Sequence, residues 1–214
     1  MLTIHAAALL LPGGGRAPVP GGAVAVRDTV VADFGPYGEL AAAHPAARVR
    51  RWPGVLTPGL LQRDAARLLQ ESYFPDPREA DTLGTAPLTG EALDALGPDD
   101  TWRAGSVRRG LHRMLRHGTT AATAAPTSPP ALITAMRRSG LLVTGAPERP
   151  GAAPRLDPLA GAGAVADATA APLAVGGRAD LAAFDVADET ALLAAGAASC
   201  VATVAAGRLV YRGR

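Results

Sequence analysis

Apolar and polar positions alternate with a period of two near both ends of the chain. Such alternation is typical of strands with one buried face, and Gly, Pro or Asp residues separate the alternating segments. Ala206-Gly207 reads as the tight turn of a hairpin near the C-terminus. The pattern predicts strands at residues 2–11, 22–27, 29–34, 49–52, 201–205 and 208–211.

The middle of the chain follows a helical period instead. Val107, Leu111, Met114 and Leu115 fall on one face of a helix that begins near Asp99 and ends at His117-Gly118. A strand at 119–123, a helix from Pro129-Pro130 to Arg138 and a strand at 141–144 follow in order. This αβαβ order is typical of a βα barrel.

Between these regions, Gly54–Ala66 reads as a buried strand that leaves its layer through Pro58-Gly59 and leads into a helix at 65–71. Residues 73–99 contain several prolines and predict a loop with one short helix at 90–96. The stretch should therefore deliver Asp64 and Ala66 to a site at the end of the strand.

Three motifs along the chain resemble those of the amidohydrolase superfamily, the metal-dependent C–N hydrolases that include imidazolonepropionase. Residues 22–36 are similar to its N-terminal strands, 174–185 to its C-terminal strand, and Pro58-Gly59-Leu60-Leu61-Gln62 to its first barrel strand. In that family the barrel strand continues into His-x-His. Here the two histidine positions hold Asp64 and Ala66, which argues against the usual chemistry.

The resemblance implies an α/β fold in which both chain ends build a small composite β-sandwich, residues 1–55 and 172–214. It also implies a remnant of a (β/α)₈ barrel at 56–145 and a Pro/Gly/Ala-rich linker at 146–171. A complete barrel takes about 250 residues, so only its first βα units fit. An open barrel edge needs a cover, and we expect the linker, a second copy of the chain or a partner protein to supply it.

The histidines do not form a metal motif. A hydrolytic zinc usually needs three protein ligands around an open position. His112 and His117 lie roughly 140° apart around a helix, whereas His5 and His44 belong to the sandwich region. We therefore predict no catalytic residue and no cofactor, the ancestral zinc or other divalent metal having been lost. Asp64 is more simply a helix cap than a ligand.

A row of arginines lies opposite the apolar stripe of the central helix, at Arg108, Arg109, Arg113 and Arg116. Such a face is usually solvated, but it also suits an anionic ligand. Thr119 and Thr120 follow at the start of the next strand, where their hydroxyls could reach the same ligand. The candidate ligand-binding residues are therefore Arg109, Arg113, Thr119 and Thr120.

Composition excludes several classes of function. The net charge of +2 comes without a dense basic run, which argues against nucleic acid. Cys200 is the single cysteine, so no internal disulfide is expected and a reducing cytoplasm is the natural compartment. The apolar start of the chain lacks the basic region of a signal peptide, and no later run is long enough for a membrane span.

Three functional hypotheses follow. The first is a catalytically inactive relative of imidazolonepropionase-type hydrolases that acts by binding or assembly. The second is a hydrolase of non-peptide C–N bonds, in a cyclic amide or an aminated heterocycle, that a partner subunit completes. The third is a sensor of an anionic small molecule.

Overall fold

A computed structural model describes residues 1–97, 99–146 and 153–213 of the chain as a mixed α/β structure with several sheets. The strands are β1 (Leu2–Ala6), β2 (Leu9–Leu10), β3 (Val19–Pro20), β4 (Gly22–Arg27), β5 (Val30–Pro36), β6 (Arg48–Arg51), β7 (Val55–Pro58), β8 (Leu60–Gln62), β9 (Ser72–Tyr73), β10 (Leu88–Thr89), β11 (Thr119–Ala124), β12 (Leu142–Gly145), β13 (Leu181–Phe184), β14 (Cys200–Ala205) and β15 (Arg208–Arg212).

The helices include the long central one predicted from the apolar stripe. They are α1 (Tyr37–Ala43), α2 (Ala65–Glu71), α3 (Ala80–Leu83), α4 (Glu91–Leu96), α5 (Asp100–Arg116), α6 (Pro130–Arg138) and α7 (Glu189–Ala195). Short 3₁₀ turns occur at Pro77–Glu79, Val165–Ala168 and Ala197–Ser199. Among the described residues, no helix is both long and apolar enough to cross a membrane.

The described chain forms two compact units. Unit 1 comprises Met1–Leu61, Leu115–Ala121 and Asp157–Arg214. Unit 2 comprises Gln62–Met114 and Ala122–Leu156.

Unit 1 contains a four-stranded sheet in the order β5-β4-β1-β6. The hairpin of β4 and β5 turns at Asp28, whose φ of 53° lies in the left-handed region. The predicted single strand at 2–11 is wrong, because β1 and β2 belong to different sheets. After β1, the N–H of Ala7 donates to Gly22, while that of Leu9 donates to Gly54 of another segment, both at 3.0 Å.

A six-stranded sheet in unit 1 joins strands from both parts of the chain, in the order β15-β14-β13-β7-β2-β3. The junction is the antiparallel pair of β13 with β7, in register from Leu181 opposite Pro58 to Phe184 opposite Val55. The predicted C-terminal hairpin is confirmed, with β14 and β15 joined at Ala206-Gly207. Residues far apart in sequence therefore build one sheet.

The two sheets of unit 1 share a hydrophobic core. Val24 and Val26 of the first sheet cluster with Leu56, Leu181 and Val204 of the second, and each is at most 2% exposed. Burying side chains of this size contributes roughly 1.5–3 kcal/mol each relative to exposure. This core holds β7 and β13 in register, and β7 leads directly into β8.

Unit 2 is built around α5, whose predicted start is confirmed. The Asp99 side chain accepts the N–H of Trp102 at 2.8 Å, so it caps the helix. The prediction of a loop with one helix at 73–99 is wrong in part, because β9 and β10 pair there and α3 precedes α4. Residues 147–152 of the predicted linker lie outside the described residues.

Candidate functional site

The end of β8 is fixed by the side chain of Gln62, which is only 3% exposed. Its Nε2 donates to the backbone carbonyls of Arg155 at 2.9 Å and Leu156 at 3.1 Å. Its Oε1 accepts the N–H of Asp64 at 3.2 Å. Gln62 therefore uses both ends of its amide to bind backbone groups of unit 2.

Asp64 occupies the N-cap position of α2, as expected, but it does not cap through its side chain. Its φ of −102° and ψ of 20° differ from the extended geometry of a usual cap, and its carboxylate accepts no capping hydrogen bond from the described residues. Ala66 lies two residues further along, 4% exposed, and packs into the buried face of α2. The strand thus presents one carboxylate and one methyl group.

These residues do not fit a catalytic zinc. Within the described ranges, no group of three or more His, Cys, Asp and Glu side chains could hold a metal ion. Ala66 has no donor atom, and the amide of Gln62 is engaged with the backbone. His112 on α5 is exposed and His117 is half-buried in unit 1.

Two of the candidate arginines anchor the segment after β9 to α5. Arg109 Nε donates to the carbonyl of Phe74 at 2.6 Å, and its guanidinium lies 5.5 Å from the centre of the Tyr73 ring. Arg113 donates to the carbonyl of Thr85 at 2.6 Å and lies 5.5 Å from the centre of the Phe74 ring. Both side chains thus hold backbone and aromatic rings of unit 2.

The two candidate threonines are buried in unit 1. Thr119 is fully buried, and its hydroxyl has no hydrogen-bond partner in the described part of the chain. Thr120 bonds to Asp180, which also accepts the N–H of Ala206 at 2.7 Å and pairs with Arg178 at 3.0 Å. Asp180 therefore has a structural role, because its carboxylate binds a backbone N–H and an arginine of the same unit. Burial nevertheless raises the pKa of this carboxyl above its usual range.

A buried pair in unit 1 joins His5 to Trp52. Trp52 Nε1 donates to His5 Nδ1 at 3.1 Å, and the planes of the two rings differ by 18° with centroids 6.0 Å apart. Because Nδ1 accepts this bond, the proton of the neutral imidazole must be on Nε2. Burial and, second, the charge of Arg50 lower the pKa of His5 to about 4. His5 is therefore neutral at pH 7.

Unit 2 contains a cavity of about 1010 Å³. Its wall is mostly apolar and includes Leu69 of α2, Tyr73 of β9 and Leu132 of α6. Arg103 and Arg108 of α5 also line it. Ligand pockets in proteins have volumes of roughly 300–1,000 Å³ and combine an apolar lining with a few polar groups. The cavity has both properties.

Sequence reasoning missed this cavity because its wall comes from segments distant in the chain. The apolar stripe of α5 gave a signal in part, since Leu111 and Met114 are buried as expected while Val107 is half-buried and lines the cavity. The stretch at 73–99 contains several prolines and was predicted to be mostly a loop, so the sequence did not indicate that Leu93 lines the cavity. The sequence placed Arg108 in the row of arginines opposite the apolar stripe of the helix. In the structure its side chain lines the cavity.

A model of a known family matches part of the N-terminal region. Residues 22–47 match the family model described as "Imidazolonepropionase-like composite domain, bacteria". These residues form β4, β5 and α1 of unit 1. The resemblance to the amidohydrolase superfamily that the sequence predicts is therefore confirmed over this segment.

Two solved structures are similar to part of this chain. Escherichia coli guanine deaminase is 15% identical, with a TM-score of 0.46 over 68% of this chain and 35% of its own. Aspergillus niger ochratoxinase is 20% identical, with a TM-score of 0.45 over 67% of this chain and 31% of its own. The chain thus spans about a third of the length of these structures. A search of curated proteins found no match.

Proposed function

We propose that this chain is an amidohydrolase-like protein that acts by binding or assembly and does not hydrolyse C–N bonds. In this proposal the two sheets of unit 1 are the composite β-sandwich, built mainly from the predicted parts 1–55 and 172–214, with β7 extending the first part to Pro58. The rest of the predicted segment 56–145 is what is left of the barrel, 146–171 connect the two, and the protein works in the cytoplasm.

The distance along the chain between two paired strands supports the loss of the barrel. β7 and β13 are neighbours in one sheet, so every barrel strand between the halves of the sandwich must come from residues 59–180. That interval is roughly half of the ~250 residues typical of a complete (β/α)₈ barrel.

The observation that carries the proposal is the end of β8. The positions of the two metal-binding histidines hold Asp64 and Ala66, and the preceding Gln62 is bonded to three backbone groups. A hydrolytic metal must be held by several ligands to acidify a water. With these residues the first strand contributes at most one ligand.

A partner subunit would not easily restore hydrolysis. A second protein could supply missing strands, but it could not replace the side chains that β8 itself presents. A partner or second copy is better explained as a cover for the open edge of the barrel remnant, because unpaired strand edges favour association. We therefore place assembly, rather than completion of an active site, at that edge.

The proposal predicts that neither the natural protein nor the variant Asp64→His/Ala66→His hydrolyses a cyclic amide or an aminopyrimidine when zinc is added. Restoring two histidines leaves the remaining ligands and the base absent, so the rates of both proteins should equal the buffer blank. The measurement is product formation by chromatography, with folding checked by circular dichroism. Zinc-dependent turnover by either protein alone would overturn the proposal.

The cavity of unit 2 favours small-molecule binding as the form of that activity. The residues at the end of β8 do not form this cavity, since neither Gln62 nor Asp64 is part of its wall. Loss of the metal-binding residues at the end of β8 would therefore leave a small-molecule site in this cavity intact.

A further inference from the structure

We infer that the cavity of unit 2 binds an amphiphilic carboxylate, a molecule with a medium-length apolar body and one anionic group. The cavity lies between helices α2, α5 and α6 and the strand β9, all within one compact unit. The inference rests on the proposed binding role, but it assigns residues that the sequence motifs do not.

The apolar wall of the cavity indicates that the buried part of the ligand is apolar. Leu69, Tyr73 and Leu132 are each at most 6% exposed and line the cavity, together with the smaller Ala131 and Ala135. Binding gains free energy in proportion to the apolar surface that it removes from water. An aliphatic or aryl body of several carbons therefore gains from entering, whereas a small polar ion does not.

The charged residues of the lining indicate which polar group the ligand carries at the end opposite its apolar body. Arg103 and Arg108 are the charged residues among those described around the cavity, and no carboxylate lines it. Both arginines are exposed, so they lie where the cavity meets solvent. A guanidinium forms strong, often bidentate hydrogen bonds with a carboxylate. A ligand with its body inside and its carboxylate at the opening matches this distribution.

The hydroxyl of Ser72 gives an independent reason for a ligand. Ser72 lines the cavity and is 4% exposed, and its Oγ has no partner among the described residues. The neighbouring Ser106 is engaged, because its Oγ accepts the N–H of Phe74 at 2.9 Å. A buried polar group without a partner costs free energy, because it has lost its hydrogen bonds with water. A polar atom on the ligand body would remove that cost.

The roles of the other arginines of α5 sharpen the assignment. Arg109 and Arg113 donate to the carbonyls of Phe74 and Thr85. Neither is part of the cavity wall. The anion-binding role that the sequence suggested for Arg109 and Arg113 is therefore better suited to Arg108.

The test is isothermal titration of the full chain with decanoate, decanol and butyrate. We expect decanoate to bind, decanol to bind about tenfold more weakly because it has no charge, and butyrate to show no heat because it has too little apolar body. Arg108→Gln should weaken decanoate about tenfold and leave decanol unchanged. The control is Arg138→Gln, an exposed arginine on α6 outside the cavity.

A second variant tests the place of binding. Ala135→Trp puts a large ring into the cavity from the half-buried side of α6, and it should abolish binding of decanoate and decanol alike. Equal affinity for decanoate and decanol, or no effect of Arg108→Gln, would overturn the anion assignment. No binding of either ligand by folded protein would overturn the site.

These outcomes are separate from those of the hydrolysis assay. Decanoate binding by a protein that also hydrolyses amides would overturn the non-catalytic role and leave the site in place. A folded, non-hydrolytic protein that ignores decanoate would overturn the site alone.

Discussion

Lowering the pH from 7 to 4 is expected to reduce the free energy of unfolding by about 3 kcal/mol through His5 alone. The pKa of this side chain is lowered from 6.5 to about 4 in the folded protein, mainly by burial. The unfolded chain therefore binds a proton between these two values that the folded chain does not. Stability from this source is complete above pH 6.5 and is lost as the pH falls through this range.

The measurement is chemical denaturation at half-unit steps of pH. His5→Gln removes the titrating group, so its stability should be lower at pH 7 but should vary less between pH 6.5 and 4.5. His112→Gln, at an exposed position on α5, is the matched control and should keep the slope of the natural protein. A slope that persists unchanged in His5→Gln would contradict the assignment.

Asp180 acts in the opposite direction. Burial raises the pKa of its carboxyl in the folded protein, so the folded state binds its proton more readily than the unfolded state does. Its contribution therefore favours the folded chain at low pH and is lost as the pH rises. Asp180 therefore reduces the net slope at pH values above the usual pKa of an aspartate, so the effect of His5 is read from the difference between the natural protein and His5→Gln at each pH.

Gly59→Ala is expected to destabilise the protein by about 3 kcal/mol, through overpacking and a broken buried hydrogen bond. A Cβ on Gly59 would lie 2.6 Å from Cγ2 and 2.7 Å from Cβ of Thr120, with Oγ1 nearer still. Thr120 is 1% exposed and bonded to Asp180, so it cannot move without breaking that bond. The backbone between β7 and β8 would have to shift instead.

Gly38→Ala is the matched control. Gly38 lies in α1, and a Cβ there would meet no atom within 4 Å. Alanine is favoured over glycine in a helix interior by up to about 1 kcal/mol, and Gly38 lies in the first turn of α1, so this variant should be neutral or slightly more stable. Thermal denaturation of both variants makes the comparison. Equal melting temperatures for the two would show that the contact between Gly59 and Thr120 is not tight.

The sequence predicted elements best where local rules decide them. The stripe of Leu111, Met114 and Leu115 located α5, and Pro129-Pro130 located the start of α6. The hairpins of β4 with β5 and of β14 with β15 followed from alternation around Asp28 and Ala206-Gly207. In each case the signal lies within one short segment.

What the sequence could not predict depends on contacts between distant segments. The alternation of residues 2–11 is continuous, yet the chain leaves one sheet at Ala6 and enters another at Leu9, because its pairing partners change from β4 to β7. The sequence does not indicate whether the side chain of Arg109 faces solvent or binds a backbone group, and in the structure it donates to the carbonyl of Phe74. The cavity likewise requires α2, α5 and α6 to be placed together.

Native mass spectrometry of the protein, purified from its own cells without chelators, tests the central proposal most directly. It reports metal, small ligands and partner chains together. We expect a chain or homo-oligomer without stoichiometric metal, and a bound carboxylate where the cavity is filled. One zinc per chain, or a second subunit of barrel size that brings zinc with it, would contradict the proposal that β8 no longer serves a catalytic metal.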